Sequence, residues 1–132
     1  MRPQICLIVD DESSVRAYVK AILVRKQFQI IEAENGIQGL QLAQKLGDAL
    51  DLIVSDIQMP NGDGFTFVCA VRESLPTLPI VLISGFADSE QTKHPNTSFE
   101  FVQKPFSPTT LLSAIDSATN AMKRRKKVTP TE

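Results

Sequence analysis

One histidine and two cysteines are all that this chain of 132 residues offers of the side chains that most often bind zinc or pair as nucleophile and base. The lone imidazole, His94, lies in a polar stretch, which argues against both a Ser-His-Asp triad and a histidine-rich metal site. Cys6 sits in an apolar run and Cys69 in a segment of helical period. With no metal spacing between them, they read as two buried free thiols in a reducing compartment. An excess of charge of either sign is also lacking. The formal net charge of −1 argues against a domain built to bind nucleic acid. No apolar run reaches the length of a membrane span. The N-terminus, "MRPQICLIVDD", has no signal-peptide core followed by a small-residue cleavage site, so the expected location is the cytoplasm. What is present, 42% apolar and 22% charged residues, suffices for one domain with its own core.

Five short apolar runs punctuate the chain: "ICLIV" (residues 5–9), "FQIIEA" (28–33), "LIVS" (52–55), "IVLIS" (80–84) and "FEFVQ" (99–103). The first, third and fourth are continuously apolar, as expected for strands covered on both faces in a parallel sheet. Segments of helical period lie between them. Val15, Tyr18, Val19, Ile22 and Leu23 form one stripe, and Val68, Val71 and Leu75 another. Ile37, Leu40, Ala43 and Leu46 form a further stripe, opened by Asn35 with Gln38 three residues on, which predicts a capping box. The last helix starts with Ser107 as N-cap and Pro108 at the first helical position, and its stripe is Leu111, Leu112, Ile115, Ala118 and Met122. No internal repeat or low-complexity linker breaks the series. The alternation implies a doubly wound α/β sheet with right-handed crossovers. One segment departs from the pattern: residues 87–98 carry almost no apolar stripe and contain Pro95, so the fourth helix is expected to be short or irregular.

In such a sheet the site lies outside the C-terminal ends of the strands. Asp10, Asp11 and Glu12 follow the first strand, Asp56 the third, Ser84 the fourth and Lys104 the fifth. Taken singly, each is an ordinary loop residue; together they deliver a polar group from every central strand to one rim. Two carboxylates about 4 Å apart repel by roughly 4 kcal/mol at an effective dielectric near 20. Three converging there call for a cation. Lys104 supplies one charge, and an oxygen-only ligand set favours Mg²⁺ for the rest, with Mn²⁺ as the alternative.

"LIVDDE", "LIVSDIQMPNGDGF", "VLISG" and "FVQKPF" resemble, in order and over residues 4–122, the receiver domain of two-component response regulators, including the chemotaxis-regulator type. The resemblance implies a flavodoxin-like fold of strand order 2-1-3-4-5 with helices on both faces. It also implies phosphoryl transfer to an aspartate from a sensor histidine kinase or a histidine phosphotransfer protein. By that resemblance Asp56 is the phosphorylation site. Asp10, Asp11 and Asp56 are the metal-binding carboxylates, and the backbone carbonyl of Gln58 completes the metal shell. Ser84 is the switch hydroxyl, Lys104 meets the phosphoryl group, and Pro105 follows a cis peptide bond. The domain is then no enzyme acting on a turnover substrate; it catalyses only its own phosphorylation and dephosphorylation.

Phe101 stands where many receivers carry a tyrosine, so a switch there must work without a hydroxyl. "KRRKK" (residues 123–127) opens a basic C-terminal tail, 123–132, that reads as a solvated helix end or a linker to a downstream effector. Rival classes fit less well. A dehalogenase-type phosphatase requires an aspartate where this chain has Gln58. A flavin or nucleotide binder needs a phosphate-cradling loop after the first strand, and "DDESS" would repel phosphate without a metal. A receiver-like interaction module that turns over no phosphate would have no need of the full Asp-Asp-Ser-Lys set, and a receiver cut from a hybrid kinase would carry the same residues.

Overall fold

The computed structural model describes residues 2–59, 64–85 and 99–127, with side chains described as far as Lys123. The irregular fourth helix expected at residues 87–98, with His94 and Pro95, lies outside the described residues. Five strands form one sheet: β1 (Ile5–Val9), β2 (Gln29–Ala33), β3 (Leu52–Asp56), β4 (Ile80–Ser84) and β5 (Glu100–Gln103). All pairings are parallel, in the order β2-β1-β3-β4-β5. Among the described residues the helices are α1 (Ser13–Val24), α2 (Gly36–Leu46), α3 (Gly64–Ser74) and α4 (Pro108–Lys127), with a 3₁₀ turn at Gly47–Ala49. The doubly wound architecture and the expected strand order are both present.

The alternation of side chains along each strand divides the core into two layers. Leu7, Val9, Ile53, Ile80 and Leu82 point to the face covered by α2 and α3, where Ala43, Phe67, Val68 and Val71 meet them. Cys6, Ile8, Leu52, Val54, Val81, Ile83 and Val102 point to the opposite face, under Val19, Ile22 and Leu23 of α1 and Leu111, Ile115 and Ala118 of α4. β3 and β4 are buried along their whole length, which is why their sequences are unbroken apolar runs ending in a polar residue.

Three sequence readings shift in detail. Ile37 is 62% exposed. A strict three-residue spacing drifts back about 60° per step on an α-helix, so Ile37 and Leu46 end half a turn apart. Gly39 and Ala43 carry the buried face instead, and a Cβ at Gly39 would come within 3.0 Å of Val9 and 3.1 Å of Phe67. Cys69 is exposed rather than buried, because it lies on the outer side of α3, away from Phe67, Val68 and Val71. Tyr18 is half out of the core, its ring 5.6 Å from that of Phe106 and its hydroxyl donating to the Phe106 carbonyl at 3.0 Å.

Helix ends follow local chemistry. Asn35 caps α2 by accepting from the Gln38 N–H at 2.8 Å, while Gln38 Oε1 accepts from the Glu34 N–H rather than from that of Asn35. Gly47 ends the helix with φ +53°, a conformation open to glycine at little cost. Ser107 accepts from the Thr110 N–H at 3.1 Å and caps α4. That helix runs through residue 127, so the basic run is helical.

Candidate functional site

Parallel pairing brings the ends of β1, β3, β4 and β5 to one rim, and the candidate residues gather there. Asp10 follows β1 and is 1% exposed; Asp56, the last residue of β3, is 4% exposed; Asp11 is exposed beside them. Ligand oxygens of the three carboxylates all lie within 4.8 Å of one another. Lys104 follows β5 and holds its Nζ 3.5 Å from Asp56 Oδ2 and 4.0 Å from Glu12 Oε1. Its backbone N–H donates to the Ser84 carbonyl at 2.8 Å, which ties the β5 end to the β4 end. Ser84 is buried at the end of β4, one residue beyond Ile83, the partner of Asp56 in register.

Gln58 has an exposed side chain, and its backbone N–H favours the charged form of the Asp56 carboxylate. The Lys104–Pro105 peptide bond is cis. Phe101 does not join the rim. It pairs with Leu82, whereas Ser84 pairs with Gln103, and it packs half-buried against the core layer beneath α2 and α3.

The electrostatics are those of a crowded acidic pocket. Burial above all pushes the Asp10 carboxyl up, from 3.8 to about 6; the Glu12 N–H, donating to Asp10 Oδ1 at 2.9 Å, opposes this, and Asp56 adds to it. Burial also raises the Asp56 carboxyl, against the pull of Lys104 and the Gln58 N–H. Asp10 Oδ2 is buried with no hydrogen-bond partner. A buried carboxylate oxygen without a hydrogen-bond partner, beside two more carboxylates, suits a metal ligand by its chemistry. The donor set is oxygen only, which fits a hard divalent cation.

The raised Asp10 carboxyl makes stability depend on pH. A carboxyl that holds its proton more tightly folded than unfolded makes the unfolded state the stronger acid. Between pH 4 and pH 6 the folded chain therefore binds more protons, and stability falls as pH rises. Each tenfold difference in proton affinity between the two states is worth about 1.4 kcal/mol. In EDTA the thermal midpoint should drop across that window. Asp10→Asn, which keeps the acceptor for the Glu12 N–H, should flatten the profile and exceed wild type at pH 7 by about 1–3 kcal/mol. Thermal melts from pH 4 to pH 7.5 measure this, and a variant less stable than wild type at pH 7 would contradict the electrostatic account.

Two residues that sequence reasoning passed over, Gly64 and Arg16, belong to this neighbourhood. Gly64, at the start of α3, has no room for a side chain: an added Cβ would lie 1.8 Å from the Asp56 carbonyl oxygen, so the helix start is pressed against the acceptor strand's end. Its N–H donates to the Ile57 carbonyl. Glu12 stands near Lys104, and Arg16 reaches back from α1 to the Asp10 carbonyl. Helical spacing would pair Arg16 with Glu12 one turn before it; only the three-dimensional placement of α1 shows otherwise.

The fold and rim define a class first: α/β domains that gather carboxylates and a lysine at the strand ends, a setting for an anionic group brought in with a cation. The response regulator receiver domain family model matches residues 6–116, and the chain belongs to that family. The chain is 32% identical over 103 residues to a sensor kinase, CckA, of Brucella abortus strain 2308, covering 76% of this chain and 11% of that protein. It is 35% identical over 105 residues to the transcriptional regulatory protein ResD of Bacillus subtilis strain 168, covering 77% and 42%. A response regulator receiver protein from Sinorhizobium medicae WSM419 superposes with a TM-score of 0.82 at 27% identity, covering 92% of this chain and 98% of that one. The chain thus spans less than half the length of either curated relative. Receiver domains are phospho-accepting signalling domains of two-component systems, generally bind Mg²⁺, and interact with histidine kinases or phosphotransfer proteins.

Proposed function

We propose that this receiver takes a phosphoryl group onto Asp56 from a phosphohistidine or a small acyl phosphate. The observation that carries the reading is the joint placement of Asp10, Asp11 and Asp56 within one ligand-sized space, with Lys104 3.5 Å from Asp56. A carboxylate oxygen of Asp56 attacks the phosphorus. The P–N bond of the phosphohistidine, or the P–O bond of the acyl phosphate, breaks, and its electron pair leaves with the donor. Lys104, freed from the Asp56 carboxylate, meets the charge on the incoming phosphoryl oxygens, and Ser84 donates a hydrogen bond to one of them. Asp10, Asp11 and Asp56, with the backbone carbonyl of Gln58, hold Mg²⁺ (or Mn²⁺), which supplies charge neutralisation at the phosphoryl oxygens when bound.

On this reading the domain comprises residues 4–122, catalyses nothing beyond gain and loss of its own phosphate, and works in the cytoplasm. Pro105 belongs to the lysine's loop, and the basic residues from 123 onward are a C-terminal tail or linker. Ser84 and Phe101 form the switch: the hydroxyl turns to the phosphoryl group and the phenyl ring moves further into the core. Completing the burial of a phenyl ring is worth up to roughly 1.5–3 kcal/mol, enough to bias a two-state equilibrium without a hydroxyl bond.

Incubation with acetyl phosphate and Mg²⁺ should add one phosphate by intact mass, and chelation with EDTA should prevent it. Undiminished uptake in EDTA would remove the metal from the account, and no uptake under either condition would remove the acceptor.

A further inference from the structure

We infer that Arg16 is a positioning residue for the carboxylate pair at the end of β1, and that Glu32 on the edge strand holds Arg16 in place; this rests on the metal-dependent reading above. Arg16 Nη1 donates to the Asp10 carbonyl oxygen at 2.6 Å, and its Nε donates to Glu32 Oε1 at 3.0 Å. The guanidinium is largely sheltered, its side chain 14% exposed, whereas Glu32 is 37% exposed and is steadied on its other oxygen by Lys20 at 3.6 Å. The Asp10 carbonyl belongs to the peptide plane that joins Asp10 to Asp11. A fork anchored at both ends therefore fixes the plane from which both carboxylates depart.

The other holds on this turn are few. The Asp10 N–H donates to the Ala33 carbonyl at 3.1 Å, and Asp10 Oδ1 accepts from the Glu12 N–H. The first lies on the Asp10 side of the joining peptide and the second spans it, while the carbonyl between the two acids is held by Arg16. Glu32 pairs in register with Ile8, close behind Asp10, so β2 reaches the rim through this ion pair although no β2 residue lines it.

Isothermal titration of Mg²⁺ into the metal-free full chain tests the inference, with thermal midpoints in EDTA as the measure of fold. Arg16→Ala should raise the Mg²⁺ dissociation constant by about tenfold or more, the range for groups that orient metal ligands. Arg16→Lys should fail to restore it, because one ammonium cannot grip the Asp10 carbonyl and Glu32 together. Glu32→Ala should weaken binding less, and Glu32→Gln, which keeps an acceptor oxygen for Nε, should bind close to wild type. These two variants keep the test decisive should Arg16→Ala fail to fold. A role in stability alone would lower the EDTA midpoint and leave the dissociation constant unchanged, and that result overturns the inference. Full rescue by Arg16→Lys would overturn it too, by making charge sufficient. Wild type that binds no Mg²⁺ defeats the reading of the site and this inference with it; wild type that binds while Arg16→Ala binds equally well defeats this inference alone.

Discussion

Asp56→Asn should take up no phosphate from acetyl phosphate or from a phosphorylated kinase under conditions in which wild type takes up one. The loss should be total rather than graded, because the amide removes the attacking oxygen while disturbing little else. Asp56 is buried at the end of β3, its carboxylate faced by Lys104. An asparagine of the same shape keeps an acceptor oxygen and loses only the ion pair. Intact-mass measurement reads the result, with thermal melts to show that the variant is folded. Labelling of the variant at the wild-type level would place the acceptor elsewhere.

The second large effect concerns the metal. Because Asp10, Asp11 and Asp56 crowd one space, Mg²⁺ should bind the unphosphorylated chain and stabilise it. A ligand that binds only the folded state adds RT ln(1 + [L]/Kd), about 2.7 kcal/mol at a hundredfold excess over Kd. Asp11→Ala should erase most of the thermal shift, since Asp11 is the exposed member of the three and contributes little to the core. Thermal melts across a Mg²⁺ titration check both statements. Wild type that shows no shift in several millimolar Mg²⁺ would rule out the site, whereas a full shift in Asp11→Ala would rule out that ligand.

Much of the fold and rim is legible in the residues alone, for a physical reason. β3 and β4 are covered on both faces, so their sequences are unbroken apolar runs, and a parallel sheet then forces the residues that end those runs to one rim. Asp10, Asp56, Ser84 and Lys104 can be placed together on that ground. What sequence does not show depends on how elements lie across one another. Arg16 stands one helical turn after Glu12, yet α1 is placed so that its guanidinium reaches the Asp10 carbonyl and Glu32 of β2 instead. Gly64 carries no pattern that marks it, and only the closeness of α3 to the Asp56 carbonyl shows why a side chain is barred. Ile37 and Cys69 depart from expectation because apolar character says that a residue can be buried, while the helix's rotation decides whether it is.

The central claim is that the phosphoryl group resides on the carboxylate of Asp56, and borohydride trapping tests it most directly. Hydride reduces an acyl phosphate to the alcohol with loss of phosphate, so a phosphorylated aspartate becomes homoserine while free carboxylates do not react. Wild type phosphorylated with acetyl phosphate and Mg²⁺, reduced, digested and sequenced by mass spectrometry should carry homoserine at position 56 and at no other aspartate. Homoserine at position 10 or 11, or an acid-stable phosphate on Ser84 that survives reduction, would contradict the account.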